Sequence, residues 1–375
     1  MSALVIVVAA AVLGACGTTG ARFPAEIEPR PAATATRTAD ITVTGTGTGT
    51  STSTSTGSDG SGAAKPCADG RPVRWSPAPP ASMPTPGVFR PGSIMDDIWR
   101  KGDLTVAIVT DAPPAGSMNW TEPTLEGFDV DIAGAIATAL FGNGGESKIR
   151  FRAVTTKDRA ALLKNPNSGV DIVVATYTIT CERKEKENIL FSGVYFESRF
   201  ALLVPAKAGF KTLRDFAGYT ICSTEGATSV QKLEDAARSA LAPGDPPLTI
   251  TLRPRAADCL VAVQQGEADG VATDDIILAG MKARDQYVDV PPGGVTAAGD
   301  DLAEPYGVAL HRSHLDDPNA NKLRDEEFVQ FVNGVLRDMM ASGGWATSYQ
   351  NWFHVTREEA EAAAPLARNP GWPAG

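Results

Sequence analysis

The sequence predicts an α/β protein of two lobes, and three observations carry that prediction. The run from Asp171 to Ala175 is apolar and β-branched without interruption, the pattern of a strand covered on both faces in a parallel sheet. From Tyr219 to Ala283 strand-like and helix-like segments alternate, which builds a second, mostly parallel sheet. The apolar runs Arg199 to Val204 and Pro305 to Leu310 flank that alternation and read as the outward and return crossings between the lobes. Two crossings make a hinge, with a crevice between the lobes beyond the carboxyl ends of the strands.

In chain order, residues 1–16 read as a signal peptide. Its apolar core is too short to span a bilayer and ends in Leu13-Gly14-Ala15-Cys16, a lipobox that predicts diacylation of Cys16. No Lys or Arg precedes the core, which points to a translation start upstream of Met1. Residues 17–93 read as a tether. Thr, Gly and Ser dominate Thr42 to Gly62 and cannot bury enough apolar surface to order themselves, and the Pro-rich stretch from Arg71 to Pro91 stiffens toward polyproline II.

The first lobe is expected over 94–198. Ile94, Ile98 and Trp99 share a helical face, strand Leu104 to Val109 follows, and Phe128 to Leu140 is a core helix with its acids near the N-terminus. Strand Lys148 to Val154 leads to Thr155-Thr-Lys-Asp-Arg159 and a short helix, Ala160 to Lys164. The second lobe is expected over 199–303: strands Tyr219 to Cys222, Leu248 to Leu252 and Gly270 to Thr273, with helices Thr228 to Ala240, Ala256 to Gln265 and Asp275 to Ala283. Residues 304–354 return to the first lobe through helices Asn319 to Ala341 and Trp345 to Phe353, and 355–375 read as a polar tail.

The composition excludes several functions. A net charge of −10, from 44 acidic and 34 basic residues, opposes nucleic-acid binding and charge-driven adhesion to an anionic bilayer. There is no phosphate-cradling Gly-x-x-x-x-Gly-Lys-Ser/Thr loop, no Gly-x-Ser-x-Gly elbow and no Cys/His nucleophile pair. His311 and His314 lack the further ligands a metal needs, so no cofactor or metal is expected. Once Cys16 is set aside, four cysteines remain, an even number that in an oxidising compartment points to two disulfides. Cys222 ends a strand and Cys259 lies on a helix of the same lobe, so those two pair and Cys67 pairs with Cys181.

The stretch after Ala175 turns polar with no Gly or Pro break and places Thr176, Thr178 and Thr180 two apart before Arg183. Hydroxyls beside a guanidinium at a strand end make an anion-binding edge, whereas the charge run around it, Glu182 to Glu187, reads as a solvated turn. Together with Phe191-Ser-Gly-Val-Tyr195, Gly127-Phe-Asp-Val-Asp-Ile-Ala133, Cys222-Ser-Thr-Glu-Gly-Ala-Thr-Ser229, Asp258 to Gln265, Thr273 to Leu278 and Pro305-Tyr-Gly307, this stretch resembles the type 2 periplasmic amino-acid-binding proteins. These are the solute receptors of ABC importers, and the likeness is closest to actinobacterial glutamate/glutamine-binding lipoproteins. It covers roughly Gly102 to Phe353.

The resemblance implies a two-lobed binding-protein fold, a lipid-anchored extracytoplasmic monomer, an amino-acid ligand and an ABC permease as partner. It implies that Arg183 and Thr178, with Thr176 beside them, meet the ligand's α-carboxylate together with the N–H groups of Ala227 and Thr228. Asp274 would accept from the α-ammonium, and Thr156 and Arg159 would contact a side-chain carboxylate, favouring glutamate or aspartate over glutamine or asparagine. From the residues alone, Thr228 and Asp274 read as helix N-caps and Arg159 as a surface ion-pair partner. The loop from Thr110 to Gly116 lacks the aromatic residue that the resembled family places over its ligand, and Trp120 either replaces it or caps the loop. Two other functions stay open: a sensing subunit that signals through a membrane partner, and a dehydratase-type enzyme on the same scaffold.

Overall fold

The structure, a computed structural model, describes residues 40–45, 66–119, 121–291, 302–314, 316–365 and 370–372. Cys16 with its leader and Trp120 fall outside the described residues. The chain opens on β1 (Ile41–Val43). Lobe 1 then builds α1 (Ile94–Lys101), β2 (Leu104–Ile108), a small antiparallel sheet of β3 (Asp111–Ala112), β4 (Gly116–Asn119) and β5 (Thr124–Glu126), then α2 (Phe128–Phe141), β6 (Ile149–Ala153), α3 (Arg159–Lys164), β7 (Ile172–Val173) and α4 (Cys181–Glu185). Strand β8 (Leu190–Pro205) leads into lobe 2, which comprises β9 (Thr220–Thr224), α5 (Thr228–Ala240), β10 (Leu248–Arg253), α6 (Ala256–Gln264), β11 (Gly270–Asp274), α7 (Asp275–Arg284) and β12 (Val288–Asp289). The chain returns on β13 (Ala303–Leu310) and ends in α8 (Pro318–Ala341), α9 (Gly344–Phe353) and α10 (Arg357–Ala363).

Instead of two separate sheets, one sheet runs through both lobes in the order β1, β10, β9, β11, β8, β13, β7, β2, β6. The cause is the length of β8. Its first part pairs antiparallel with β13, from Leu190 opposite Leu310 to Arg199 opposite Ala303, and its next residues, Phe200 to Leu203, pair antiparallel with β11. The switch of partner between Arg199 and Phe200 is where one lobe gives way to the other. Within lobe 2, β9 is parallel to both β10 and β11, and within lobe 1 β2 is parallel to β6 and β7.

Aromatic side chains fasten α2 and α9 to β8. Phe128 meets Trp345 edge-on at 5.3 Å and Phe196 at 5.6 Å, while Trp345 Nε1 donates to the carbonyl of Tyr195 at 2.8 Å. Buried aromatic pairs of this kind each contribute about 0.5–1.5 kcal/mol beyond their area. A second core, with Phe200, Leu202, Phe216, Leu233, Leu248 and Ile250, lies within lobe 2. Of the expected helical face of α1, Ile98 is buried whereas Trp99 is 43% exposed and lies against Gly87.

Three stretches differ from their sequence reading. Residues 66–93, expected as tether, pack on lobe 1. Cys67 is bonded to Cys181 with Cα atoms 5.2 Å apart, and Phe89 meets Phe331 at 5.9 Å. Having no ladder, this Pro-rich segment is held through its carbonyls: Asn333 donates to Pro77, Arg337 to Pro80, and Lys184 Nζ to Val73 and Trp75, each at 2.7 Å. Within the Thr-rich tract, Ile41-Thr-Val43 adds antiparallel to the edge of β10 and buries Val43 in the second core. The expected polar tail holds α10, whose Thr356 and Glu359 form a reciprocal cap, and Ala360 is fully buried. The second disulfide, Cys222 to Cys259, ties β9 to α6 with Cα atoms 5.4 Å apart.

Residues 370–372 close over β8. The N–H of Val194 donates to Pro370 O at 2.8 Å, and a Cβ on Gly193 would stand 2.4 Å from both Pro370 O and the Trp372 ring. Gly193→Val is therefore expected to cost about 1–3 kcal/mol, the usual range for overpacking, and to expose Trp372. Urea unfolding followed by tryptophan fluorescence checks both effects; an unchanged midpoint would show that this cover does not contribute.

Candidate functional site

The site forms where the carboxyl ends of β2 and β7 face those of β9 and β11. Past β7 the chain does not keep its alternation, because Thr176 takes φ = 45°. A β-branched residue in the left-handed region costs on the order of 1–3 kcal/mol and persists only where its surroundings hold it. Here they do. Asp129 Oδ2 accepts from the N–H of Thr176 at 2.9 Å, and Tyr195 Oη donates to Asp129 Oδ1 at 2.7 Å. On the other side, Arg159 Nη1 donates to the carbonyls of Ala175 at 2.7 Å and Thr176 at 3.0 Å, and Nε donates to Thr156 O at 2.9 Å. Burial pushes the Asp129 carboxyl up to about 6, against the opposing pull of its two hydrogen bonds. Asp129, read from sequence as a helix-dipole acid, is thus the clamp on the turn at Thr176.

Arg159 and Arg183 both lie over the ring of Tyr177, at 4.2 Å and 4.5 Å from its centroid. Burial, with the neighbouring Arg183 charge adding to it, lowers Arg159 to about 10, so it stays cationic at neutral pH. Thr180 does not face the crevice; its hydroxyl caps α4 by accepting from the N–H of Arg183 at 3.1 Å. Arg183 is turned inward. Its Nη1 donates to Thr178 O at 2.6 Å, and its Nη2 reaches across the lobes to Gly226 O at 3.2 Å.

From lobe 2, Gly226 at φ = 74° turns the chain into α5. Thr228 and Asp274 do not cap their helices with their side chains. The Thr228 hydroxyl donates to Glu304 Oε2 at 2.8 Å and lies 3.5 Å from that of Thr178, while Asp274 accepts from Tyr306 Oη. Thr156, Arg159, Thr176, Thr178, Ala227, Thr228 and Asp274 line one cavity, together with Asp111, Thr224, Thr273 and Ile277. Arg183 is not part of that lining and sits behind Thr178. The carboxylate of Asp111 and the hydroxyl of Thr224 were missed in the sequence; Thr224 Oγ1 is buried with no hydrogen-bond partner.

The cavity measures about 20 Å³, room for about one water, so the lobes stand closed and must part to admit anything larger. Polar groups meet across the closure: Lys157 Nζ lies 3.1 Å from Glu225 Oε2, and the N–H of Ala257 donates to Asp111 Oδ2 at 3.3 Å. The loop before β4 rests directly on α7, where a Cβ on Gly280 would overlap the carbonyl of Pro113. His311 and His314 lie together with ring centroids 5.1 Å apart, and among the described residues no group of three or more metal-ligating side chains occurs.

Two lobes on a shared sheet, with a polar cavity at their strand ends, are matched by a known family: residues 104–355 fit the bacterial extracellular solute-binding proteins, family 3. The chain belongs to this family. Relatives of this family-3 protein include the ABC transporter glutamine-binding protein GlnH of Bacillus subtilis, 29% identical over 67% of this chain and 81% of the relative. The glutamate-binding protein GluB of Corynebacterium glutamicum is 28% identical over 65% of this chain and 76% of the relative. Among solved structures, an ancestral arginine-binding protein bound to glutamine shares 26% identity, with a TM-score of 0.54 over 68% of this chain and 99% of that one. The cysteine-binding protein of Campylobacter jejuni, 18% identical with a TM-score of 0.59 over 71% of this chain and 98% of that one, shows the same fold. These relatives and fold neighbours are solute-binding proteins, not enzymes.

A Cβ on Gly226 would stand 2.7 Å from the Cα of Lys157 in the opposite lobe, and its φ is one that side chains rarely adopt. Gly226→Val should therefore prop the lobes apart and weaken solute binding by roughly one to two decades, the equivalent of about 1.4–3 kcal/mol. Small-angle scattering should show a larger radius of gyration with bound solute than the parent protein has; identical radii would mean closure does not pass through this contact.

Proposed function

We propose that this protein is a lipid-anchored extracytoplasmic receptor that captures an amino acid between its lobes and delivers it to an ABC importer. The observation that carries the reading is the pairing of a buried guanidinium, Arg159, and a buried carboxylate, Asp274, on opposite lobes around one cavity. A zwitterion with an acidic side chain offers a carboxylate to the first and an ammonium to the second. The relatives named for glutamine and glutamate binding support an amino-acid ligand. Diacylation of Cys16 would hold the receptor at the cell surface.

Arg183 enters this reading through motion. Opening the lobes breaks its bond to Gly226 O, which leaves Nη2 to meet the ligand's α-carboxylate beside Thr178 and the first turn of α5. Arg159 then sets side-chain preference for glutamate or aspartate, since a desolvated guanidinium is less well paired by a neutral amide. One observation favours a second reading, glutamine or asparagine: the carboxylate of Asp111 lines the same cavity, where it would repel an acid and accept from an amide. A membrane sensor as the downstream partner uses the same site and differs only in what reads the closed form.

Calorimetric titration of the delipidated protein with glutamate, aspartate, glutamine and asparagine tests the assignment. Tighter binding of the acids is expected, and tighter binding of glutamine than of both acids would hand specificity to Asp111. Arg183→Ala should cost roughly 3–5 kcal/mol, or two to four decades in affinity, for all four ligands alike. Arg159→Ala should weaken the acids far more than the amides, and an equal loss across the set would deny it a selective role. The ligand should be recovered chemically unchanged; a dehydrated product would move the protein into a different class.

A further inference from the structure

Behind the cavity, on the strand that returns the chain to lobe 1, stand two more polar side chains. Glu304 and Tyr306 are two apart on β13 and so share a face. Glu304 is fully buried. Thr228 and Lys232, one turn apart on α5, grip its two oxygens: the Thr228 hydroxyl donates to Oε2 at 2.8 Å, and Lys232 Nζ lies 2.9 Å from Oε1 as an ion pair, off the line a hydrogen bond requires. Lys232 also donates to Ala303 O at 2.7 Å. The lysine is thereby committed to β13.

Asp274, beside them at the end of β11, is 6% exposed and has a neutral phenol, Tyr306 Oη, as its hydrogen-bond partner. Its neighbour Asp275 is engaged elsewhere, accepting from Ser198 Oγ at 2.6 Å and from the N–H of Arg199 at 3.1 Å. Across the cavity the Arg159 guanidinium directs Nε and Nη1 to carbonyls of its own lobe rather than to Asp274. The groups facing Asp274 are thus Glu304 and Tyr306 from β13, Lys232 and Thr228 from α5, Asp275 from α7 and Arg159 from α3. A buried carboxylate next to a second one, with the nearby lysine held by that second one, is far more stable as the neutral acid.

We propose that Glu304, gripped by Lys232 and Thr228, is a positioning residue that keeps Asp274 protonated until an amino acid's ammonium arrives, so that capture expels one proton. This rests on the ammonium-acceptor reading of Asp274 given above. The step balances: the Asp274 carboxylic acid and the ligand ammonium become a carboxylate–ammonium pair, and the proton leaves to solvent. Burial first, then the Glu304 charge, raises Asp274 well above the usual carboxylate range in the closed protein. An ammonium in contact opposes both effects by supplying the missing cation, which favours the ionised carboxylate although the site stays buried. Since the acid's pKa is high without ligand and low with it, affinity rises with pH between the two values, tenfold per pH unit, and levels off above the upper one.

The experiment is calorimetry of the full chain with L-glutamate and L-glutamine, from about pH 5 to about pH 9, in buffers of different ionisation enthalpy. Release approaching one proton per ligand, for both ligands, is the expected result. Glu304→Gln should cut that release and flatten the pH profile, because the like charge is gone and Lys232 is freed to pair with Asp274, while Glu304→Asp should restore it. Lys232→Met should move the rise in affinity to higher pH, and it keeps the test open if Glu304→Gln does not fold. Tight binding with no proton released, or a profile that Glu304→Gln and Lys232→Met leave unmoved, overturns the proposal. If Asp274→Asn binds as well as the parent, the ammonium reading falls and the proposal with it; if Asp274→Asn abolishes binding yet the parent releases no proton, the proposal alone falls.

Discussion

A threonine held at φ = 45° is the constraint on which the binding side of lobe 1 depends. Left to itself the chain after β7 would continue as a strand and send Thr176, Thr178 and Thr180 to one face. Asp129 takes the N–H of Thr176 and Arg159 takes its carbonyl, so a carboxylate from α2 and a guanidinium from α3 bend the chain between them. Everything downstream inherits that bend: Tyr177 turns its ring beneath two arginines, Thr178 reaches the cavity, and Thr180 is left to start α4. The disulfide from Cys181 to Cys67 then anchors the far end of the same turn.

The hinge has a comparable economy. Because β8 serves β13 and then β11, the lobes share backbone hydrogen bonding right up to the residue where they separate. Rotation between the lobes can therefore be absorbed by only a few residues near Arg199 and Ala303. The polar side chains clustered there, Ser198, Asp275, Glu304 and Lys232, are all engaged in hydrogen bonds or ion pairs, so twisting this region has to carry an entire network with it.

Lobe 2 was legible in the sequence because its alternating strands and helices bury their own apolar faces locally, and periodicity records that. The segment 66–93 was not, because its order comes from side chains such as Asn333 and Arg337 that lie far away in the chain. In β1 the signal existed, Ile41 and Val43 flanking a threonine, but three residues are too short for a pattern to stand out from a Thr-rich tract. The cap Thr356-x-x-Glu359 was likewise present and unread. At the site, residue types pointed to a polar crevice; the direction of each side chain did not follow, since Arg183 turns toward carbonyls only because the bend at Thr176 puts them within reach.

The pairing of β1 with β10 has a consequence for the order in which the molecule can be made. Ile41 leaves the ribosome early, yet its partner Ile250 is synthesised only after all of lobe 1's first part and half of lobe 2. Contacts that distant in sequence carry a large entropic cost to close and form late. The first described strand of the chain is therefore among the last to find its place, and until it does the outer edge of β10 stays open to pairing with another chain.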